Sequence, residues 1–128
     1  MKKEGILNPD LLKLLASVGH TDHLTITDRG FPIPLHLPRI DLSIVAGLPT
    51  VLDVLSAVHH EFGIYQMVVA EEVQEASPLR FEELRSLYPD IPIRTVPHID
   101  FKEISKQGKG FIRTGDTCLY GNVIIVSG

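Results

Sequence analysis

The sequence predicts an α/β fold, in which a single three-layer domain spanning residues 1–128 has a central, largely parallel or mixed sheet flanked by helices. Segments with the apolar spacing of helices alternate along the chain with short apolar segments typical of strands. A chain of 128 residues with 44% hydrophobic content is also long enough for one buried core. No internal repeat or linker divides it, so we expect one domain.

The first helix is predicted to begin at Asn-Pro-Asp, residues 8–10, because asparagine caps a free amide and proline suits the first helical position. Leucines recur at helical spacing until Gly19 ends the pattern. Residues 23–27 then alternate apolar and polar side chains like a strand. His20 is therefore expected just beyond a helix, and Asp28 at a strand end, where sites in α/β proteins are common.

The remaining elements follow from the same criteria. Residues 29–39 contain three prolines and Gly30, which excludes regular structure and predicts a stiff loop. Ser77 before Pro78 repeats the signature of a capped helix start. We expect helices at 49–62, 78–88 and 98–106, and strands at 40–45, 65–70, 91–96, 110–113 and 123–126.

Composition excludes several classes of function. The formal net charge of −4 provides no basic surface for nucleic acid or an anionic membrane. Cys118 is the only cysteine, so no intrachain disulfide forms and a reducing, cytoplasmic location is expected. Polar residues interrupt the apolar run near the N-terminus, and we expect neither a signal peptide nor a membrane span there.

Four polar clusters fall at boundaries of predicted elements, where side chains from separate segments can meet. They are Gly19–Asp22, Asp28–Gly30, Pro97-His98 and Tyr120–Asn122. We expect them to converge on one cleft. Nucleotide-binding loops, the serine nucleophile elbow and the zinc-protease motif do not occur, so the predicted chemistry is simple and uses no cofactor.

Each candidate also has a structural interpretation. His20 is suited to general acid/base catalysis, but a histidine at this place also complements the carbonyl end of a helix. Asp28 could orient His20 or hold a substrate hydroxyl, or it could accept a backbone amide to start the turn before Gly30. His98 is either a site residue or a poor helix cap. A metal pair of His20 with His23 is a weaker alternative, and no metal is expected.

Tyr120, Gly121 and Asn122 form a segment that could grip a polyol, because a phenol and an amide bind hydroxyls and glycine permits close approach. A plain strand entry is the alternative. Glu71-Glu72, after a buried strand, is interpreted as a solvated pair or a subunit salt bridge in preference to a cleft residue. Cys118 is expected to be structural.

Motifs spread along the whole chain resemble the D-ribose pyranase family in order and spacing. They are Gly19-His20-Thr21-Asp22, Asp28-Arg29-Gly30-Phe31-Pro32-Ile33-Pro34, Arg39-Ile40-Asp41-Leu42-Ser43, Gly47-Leu48-Pro49, Ala70-Glu71-Glu72, Ile112-Arg113-Thr114-Gly115-Asp116 and Tyr120-Gly121-Asn122. No single motif is specific, but the set is.

This resemblance implies an isomerase that interconverts the pyranose and furanose forms of D-ribose in ribose catabolism. It implies that His20 is the catalytic acid and that Asp28, His98, Tyr120, Gly121 and Asn122 bind the sugar. It further implies a homo-oligomer, commonly a ring-like decamer, with sites near subunit contacts. Arg29 and Gly121 depart from the usual pattern, and Gly121 leans toward the related L-fucose mutarotases. A fucose mutarotase and a non-catalytic sugar-binding accessory of ribose uptake therefore stay as alternatives.

Overall fold

The computed structural model describes every residue from Met1 to Gly128 and contains six strands and five helices. The strands are β1 (His23–Thr27), β2 (Arg39–Asp41), β3 (Ile64–Ala70), β4 (Ile93–Val96), β5 (Phe111–Arg113) and β6 (Val123–Ser127). The helices are α1 (Pro9–Ala16), α2 (Val51–Glu61), α3 (Val73–Ala76), α4 (Pro78–Leu87) and α5 (His98–Ser105).

The strands form one mixed sheet in the order β2-β5-β1-β6-β3-β4. The pairs β1–β5, β2–β5 and β3–β4 are parallel, whereas β6 runs antiparallel to both of its neighbours. Five strands therefore end at the same edge of the sheet, which we call the carboxyl edge, and β6 begins there. The opposite edge, where these five strands begin, is the amino edge.

Helices cover both faces of the sheet, which confirms the predicted three-layer α/β class. Alternate residues of each central strand enter different cores: Ile124 lies with Phe101 of α5, while Val123 and Ile125 lie with residues of α1, α2 and α4. This alternation is the period-two geometry of a strand covered on both sides. No helix of the chain is long and apolar enough to cross a bilayer.

Most predicted elements are confirmed, with the local chemistry expected of them. Asn8 caps α1 by accepting the amide of Leu11. The strand predicted at 40–45 is shorter than expected, because the chain turns away from the sheet after Asp41. The short helix α3 was not predicted. The cap assigned to Ser77 is wrong, since its hydroxyl donates to the carbonyl oxygen of Leu119 and makes no bond to its own helix.

Candidate functional site

An open cleft of about 320 Å³ lies at the carboxyl edge of the sheet. It is lined by residues that follow β1, by the first residue of α5 and by the segment before β6. These residues are Asp28, Gly30, Phe31, Pro32, His98, Leu119, Tyr120 and Asn122. Three of the four polar clusters predicted from the sequence thus meet here, because parallel strands bring their carboxyl ends to one edge.

Asp28 is half-buried at the end of β1. Its Oδ1 accepts the backbone amide of Gly30 at 2.9 Å, so the turn-starting role that the sequence offered as an alternative is present. The carboxylate has a second oxygen with no partner in the chain, and an ionised carboxylate accepts several hydrogen bonds. Asp28 therefore both shapes the loop and offers an acceptor to a ligand in the cleft.

Asn122 is buried, and its Oδ1 accepts the backbone amide of Asp28 at 2.7 Å. This bond ties the segment before β6 to the end of β1. Because the amide oxygen is used, the amide NH₂ of Asn122 is the group left to donate hydrogen bonds to a ligand. Asp28 and Asn122 thus form an adjacent acceptor and donor on one wall.

Tyr120 lies on a tight turn in which the amide of Gly121 donates to the carbonyl oxygen of Cys118 at 3.3 Å. Its φ of 56° is in the left-handed region, which is uncommon for a residue with a side chain. Its ring meets that of His98 edge to face, with centroids 5.0 Å apart. Strain of this kind persists where surrounding contacts fix the backbone, and it is concentrated at functional sites.

His98 is the first residue of α5, and its ring is surrounded by aromatic groups. Phe101 stacks on it with centroids 6.1 Å apart, and Phe31 approaches edge-on at 6.2 Å. Burial lowers the pKa of His98 and the Lys102 ammonium lowers it further, whereas the carboxylates of Glu72 and Asp28 oppose the shift. The pKa lies below its ordinary value, so the neutral imidazole is favoured.

The Nδ1 atom of His98 is buried without a hydrogen-bond partner in the chain. A buried polar atom left unpaired costs about 1–3 kcal/mol. The backbone amide of His98 is fully satisfied, because the carboxylate of Glu72 accepts it at 2.9 and 3.1 Å. The backbone of His98 is therefore fixed by Glu72, while the chain leaves the buried Nδ1 atom of its ring without a hydrogen-bond partner.

His20 does not reach this cleft. It lies at the amino edge, before β1, whereas Asp28 follows β1. Five residues at about 3.3 Å each separate the two edges by about 16 Å. The expectation that the Gly19–Asp22 cluster joins the others in one cleft is therefore wrong within a single chain.

The loop that carries His20 is nevertheless well defined. The carboxylate of Asp22 accepts the amide of Gly19 at 2.9 Å, and the amide of Thr21 donates to the carbonyl oxygen of Ser127. Thr21 has a positive φ of 66°. These bonds leave the His20 side chain exposed and free of hydrogen bonds to its own chain, so the loop presents the imidazole outward.

The structure also shows contacts that the sequence reading missed. The sequence favours a solvated or intersubunit role for Glu72, whereas in the structure its carboxylate accepts the amide of His98 at the start of α5. The strand end before it was the signal that could have placed it at this edge. No role was assigned to Asp116, which is buried and paired with Arg80. Only its position after β5 pointed to the same edge.

The weaker metal alternative finds no further ligand. The Nε2 atom of His23 lies 2.9 Å from the carbonyl oxygen of Ile104, and so the ring is engaged with the chain instead of paired with His20. No group of three or more histidine, cysteine, aspartate or glutamate side chains that could hold a metal ion occurs in the chain.

Comparison with known proteins adds a family to this geometry. The model of the RbsD / FucU transport protein family matches residues 1–128. A protein from Geobacillus thermodenitrificans named D-ribose pyranase is 48% identical over 128 residues, which cover 100% of this chain and 97% of that protein.

Solved structures show the same fold. The structure of Bacillus subtilis RbsD complexed with D-ribose superposes with a TM-score of 0.95 at 37% identity and covers 100% of this chain and 98% of that chain. The fucose mutarotase of Streptococcus pneumoniae in complex with L-fucose matches with a TM-score of 0.79 at 24% identity, over 94% of this chain and 92% of that chain. At that identity the second likeness concerns the fold alone.

Proposed function

The chain belongs to the RbsD / FucU transport protein family, and we propose that it is a D-ribose pyranase, an isomerase that interconverts the pyranose and furanose forms of D-ribose. The observation that carries this proposal is the cleft in which Asp28, His98, Tyr120 and Asn122 meet. It combines a few convergent polar groups with apolar walls, as sites for small ligands do. The similarity to D-ribose pyranases over the full length supports it.

The cleft offers complementary groups to the hydroxyls of a sugar. The Asp28 carboxylate can accept hydrogen bonds from sugar hydroxyls, and the Asn122 amide NH₂ can donate them. The Tyr120 phenol and the neutral His98 imidazole can donate or accept. Gly121 lies between Tyr120 and Asn122, and its missing Cβ leaves room for Cys118 and Arg80 behind the turn, so it places its two neighbours at the cleft. We assign the binding of ribose to these five residues.

Changing the ring size requires an opening and a closure. In the opening, the bond between C1 and the ring oxygen breaks as a proton leaves the anomeric hydroxyl and another is delivered to the ring oxygen, which gives the open-chain aldehyde. In the closure, the oxygen of a different hydroxyl bonds to C1 and loses its proton, while the carbonyl oxygen gains one. Proton transfer by positioned side chains contributes about 10²–10⁴-fold to such reactions. No oxidation state changes in either step, so the proposed reaction needs no redox cofactor. We assign the delivery of the proton to His20.

The whole of β1, about 16 Å long, lies between His20 and the cleft of its own chain, so this assignment requires a second copy whose amino edge faces that cleft. Leu119, which lines the cleft, is 65% exposed, and Ile99, which follows His98, is 70% exposed. Exposed apolar side chains beside a site are consistent with a contact surface. We propose that the protein forms a homo-oligomer, and the family resemblance implies a ring-like decamer. We also propose that it is located in the cytoplasm.

The proposed activity is tested by NMR saturation transfer between ring forms of D-ribose. The wild-type protein should accelerate the exchange, and His20→Ala should reduce the acceleration at least about 100-fold while the protein stays folded by circular dichroism. Wild-type-like exchange in His20→Ala would remove this residue from the mechanism.

The same assay with L-fucose separates the alternatives. Faster anomeric exchange of fucose than of ribose would favour a fucose mutarotase. Ribose binding measured by calorimetry without accelerated exchange would favour a non-catalytic sugar-binding protein. Light scattering of the purified protein measures the mass of the oligomer, and a monomer at catalytic concentration would contradict the shared site.

A further inference from the structure

A largely buried ion pair between Arg80 and Asp116 lies next to the turn that carries Tyr120, and neither partner lines the cleft. Asp116 is 2% exposed, and the guanidinium of Arg80 from α4 meets its carboxylate with two hydrogen bonds of 2.6 and 3.2 Å. Burial works to raise the pKa of Asp116, but the bonds from Arg80 and from the amides of Val51 and Cys118 outweigh it. The pKa therefore lies below its ordinary value, and the carboxylate stays ionised at neutral pH.

The pair is connected to the turn that carries Tyr120. Oδ1 of Asp116 accepts the amide of Cys118 at 2.9 Å, and Cys118 in turn accepts the amide of Gly121 through its carbonyl oxygen. Nη1 of Arg80 lies 3.2 Å from the place that a Cβ on Gly121 would occupy. The guanidinium thus supports the turn both through Asp116 and by direct packing beneath Gly121.

The pair is also connected to the opposite wall. The carbonyl oxygen of Asp116 accepts the amide of Arg29 at 3.0 Å, directly after Asp28. Arg113 donates two hydrogen bonds to the carbonyl oxygen of Arg29, at 3.0 and 3.2 Å. A shift of Asp116 would therefore move the Asp28 loop together with the Tyr120 turn.

A buried ion pair is a poor device for stability alone, because desolvation offsets much of the attraction between the charges. The guanidinium instead fixes the position of the carboxylate, because two parallel hydrogen bonds set both its distance and its orientation. We propose that Arg80 is a positioning residue of the sugar site, which acts through Asp116 to hold Tyr120 and Asp28 in the geometry that binds ribose. This inference rests on the proposed function.

The test uses the full-length protein and the ring-exchange assay. Arg80→Ala should raise KM for ribose about tenfold with a smaller change in kcat, because binding groups would be displaced while the proton donor is untouched. Arg85→Ala is the matched control: Arg85 lies on the same helix, where it forms an exposed ion pair with Glu82 at 3.2 Å. The control should keep the wild-type KM.

Chemical rescue separates positioning from a general loss of structure. Millimolar guanidinium, well below denaturing concentrations, should lower KM of Arg80→Ala toward the wild-type value, while urea at the same concentration should not. Arg80→Lys keeps the charge but loses the two-pronged bond, so its KM should lie between those of the wild type and Arg80→Ala. If Arg80→Ala does not fold, Arg80→Lys decides.

An unchanged KM in folded Arg80→Ala overturns the proposal. If that variant does not fold, an unchanged KM in Arg80→Lys overturns it. An elevated KM of Arg80→Ala that guanidinium does not lower also overturns it. Failure of the proposed function is recognised separately, because the wild-type protein would then not accelerate ribose exchange. Dissociation constants of ribose measured by calorimetry would in that case replace KM in the same comparison of Arg80 and Arg85 variants.

Discussion

The two edges of the sheet are built differently. At the carboxyl edge, side chains far apart in sequence bond to one another, such as Asn122 to the amide of Asp28, and a buried ion pair supports them from behind. At the amino edge, His20 projects from a short loop whose backbone bonds to itself and to the end of β6, while the His20 side chain makes no hydrogen bond within the chain. One edge is suited to recognising a ligand, and the other to presenting a single group to a different molecule. The comparison indicates that the complete proposed site needs both edges from different copies of the chain.

Mixing two defective variants is the strongest test of this division between the two edges. His20→Ala and Asp28→Asn should each lose nearly all activity, because each lacks one half of the shared site. In an oligomer assembled at random from equal amounts of the two variants, about one quarter of the sites should be active. An active site needs the carboxyl edge of a His20→Ala chain and the His20 of an Asp28→Asn chain, and each occurs with a probability of about one half. Ring exchange measured before and after refolding the mixture detects the recovery.

The control for this mixture pairs two variants of the same edge. Asp28→Asn mixed with Asn122→Ala should recover nothing, because both residues belong to one wall of one chain. Recovery in the control, or none in the first mixture, would show that the halves are not divided between subunits as proposed.

A second variant tests whether the amino edge serves only to present His20. Asp22→Ala removes the acceptor of the Gly19 amide and the partner of Lys109, 3.8 Å away. Loss of one such bond costs about 1 kcal/mol, so kcat should fall roughly fivefold while KM stays constant. Asp90→Ala, at an exposed turn, is the control. A changed KM would place Asp22 in sugar binding and contradict the division between the edges.

The tight packing of the carboxyl edge is tested by adding a methyl group. A Cβ on Gly121 would lie 3.0 Å from Cβ of Cys118 and 3.2 Å from Nη1 of Arg80, closer than comfortable contact. Gly121→Ala should therefore lower the free energy of unfolding in urea by about 1 kcal/mol. Gly30→Ala is the control, since its Cβ would meet only Oδ1 of Asp28 at 3.8 Å. Equal free energies of unfolding for the two variants would show that the Tyr120 turn accommodates the added methyl group without loss of stability.

The smallest expected effect concerns pH. Since the pKa of His98 is lowered by folding, the unfolded chain binds more protons, and stability falls as pH drops below the ordinary value of 6.5. The contribution of His98 to stability is fully present above pH 6.5 and is lost as the pH falls toward the pKa of His98 in the folded protein. Urea unfolding at pH 7.5 and pH 5.5 should show a smaller loss in His98→Gln than in the wild type.

His60→Gln, at an exposed position of α2, should behave like the wild type in this measurement. A pH dependence that is identical in His98→Gln and in the wild type would mean that the aromatic surroundings of His98 do not favour the neutral ring.

Local sequence patterns predict four of the five helices, an approximate position for every strand and the identity of the candidate residues. Asn8 before Pro9 marks the start of α1, and apolar spacing locates the other elements, because backbone preferences depend on neighbouring residues. The ends of β1 and α5 already placed Asp28 and His98 at boundaries. The chemistry of a polyol site was therefore visible without coordinates.

Which of the candidate residues meet depends on the packing of distant segments. The parallel pairing of β1 with β5 and of β3 with β4 depends on contacts between distant segments, and it alone brings Asp28, His98 and Asn122 to one edge. Strand β1 itself, and not its pairing, puts His20 at the other edge, although His20 lies only eight positions before Asp28. Proximity in sequence does not become proximity in space here because the extended strand β1 separates the two residues.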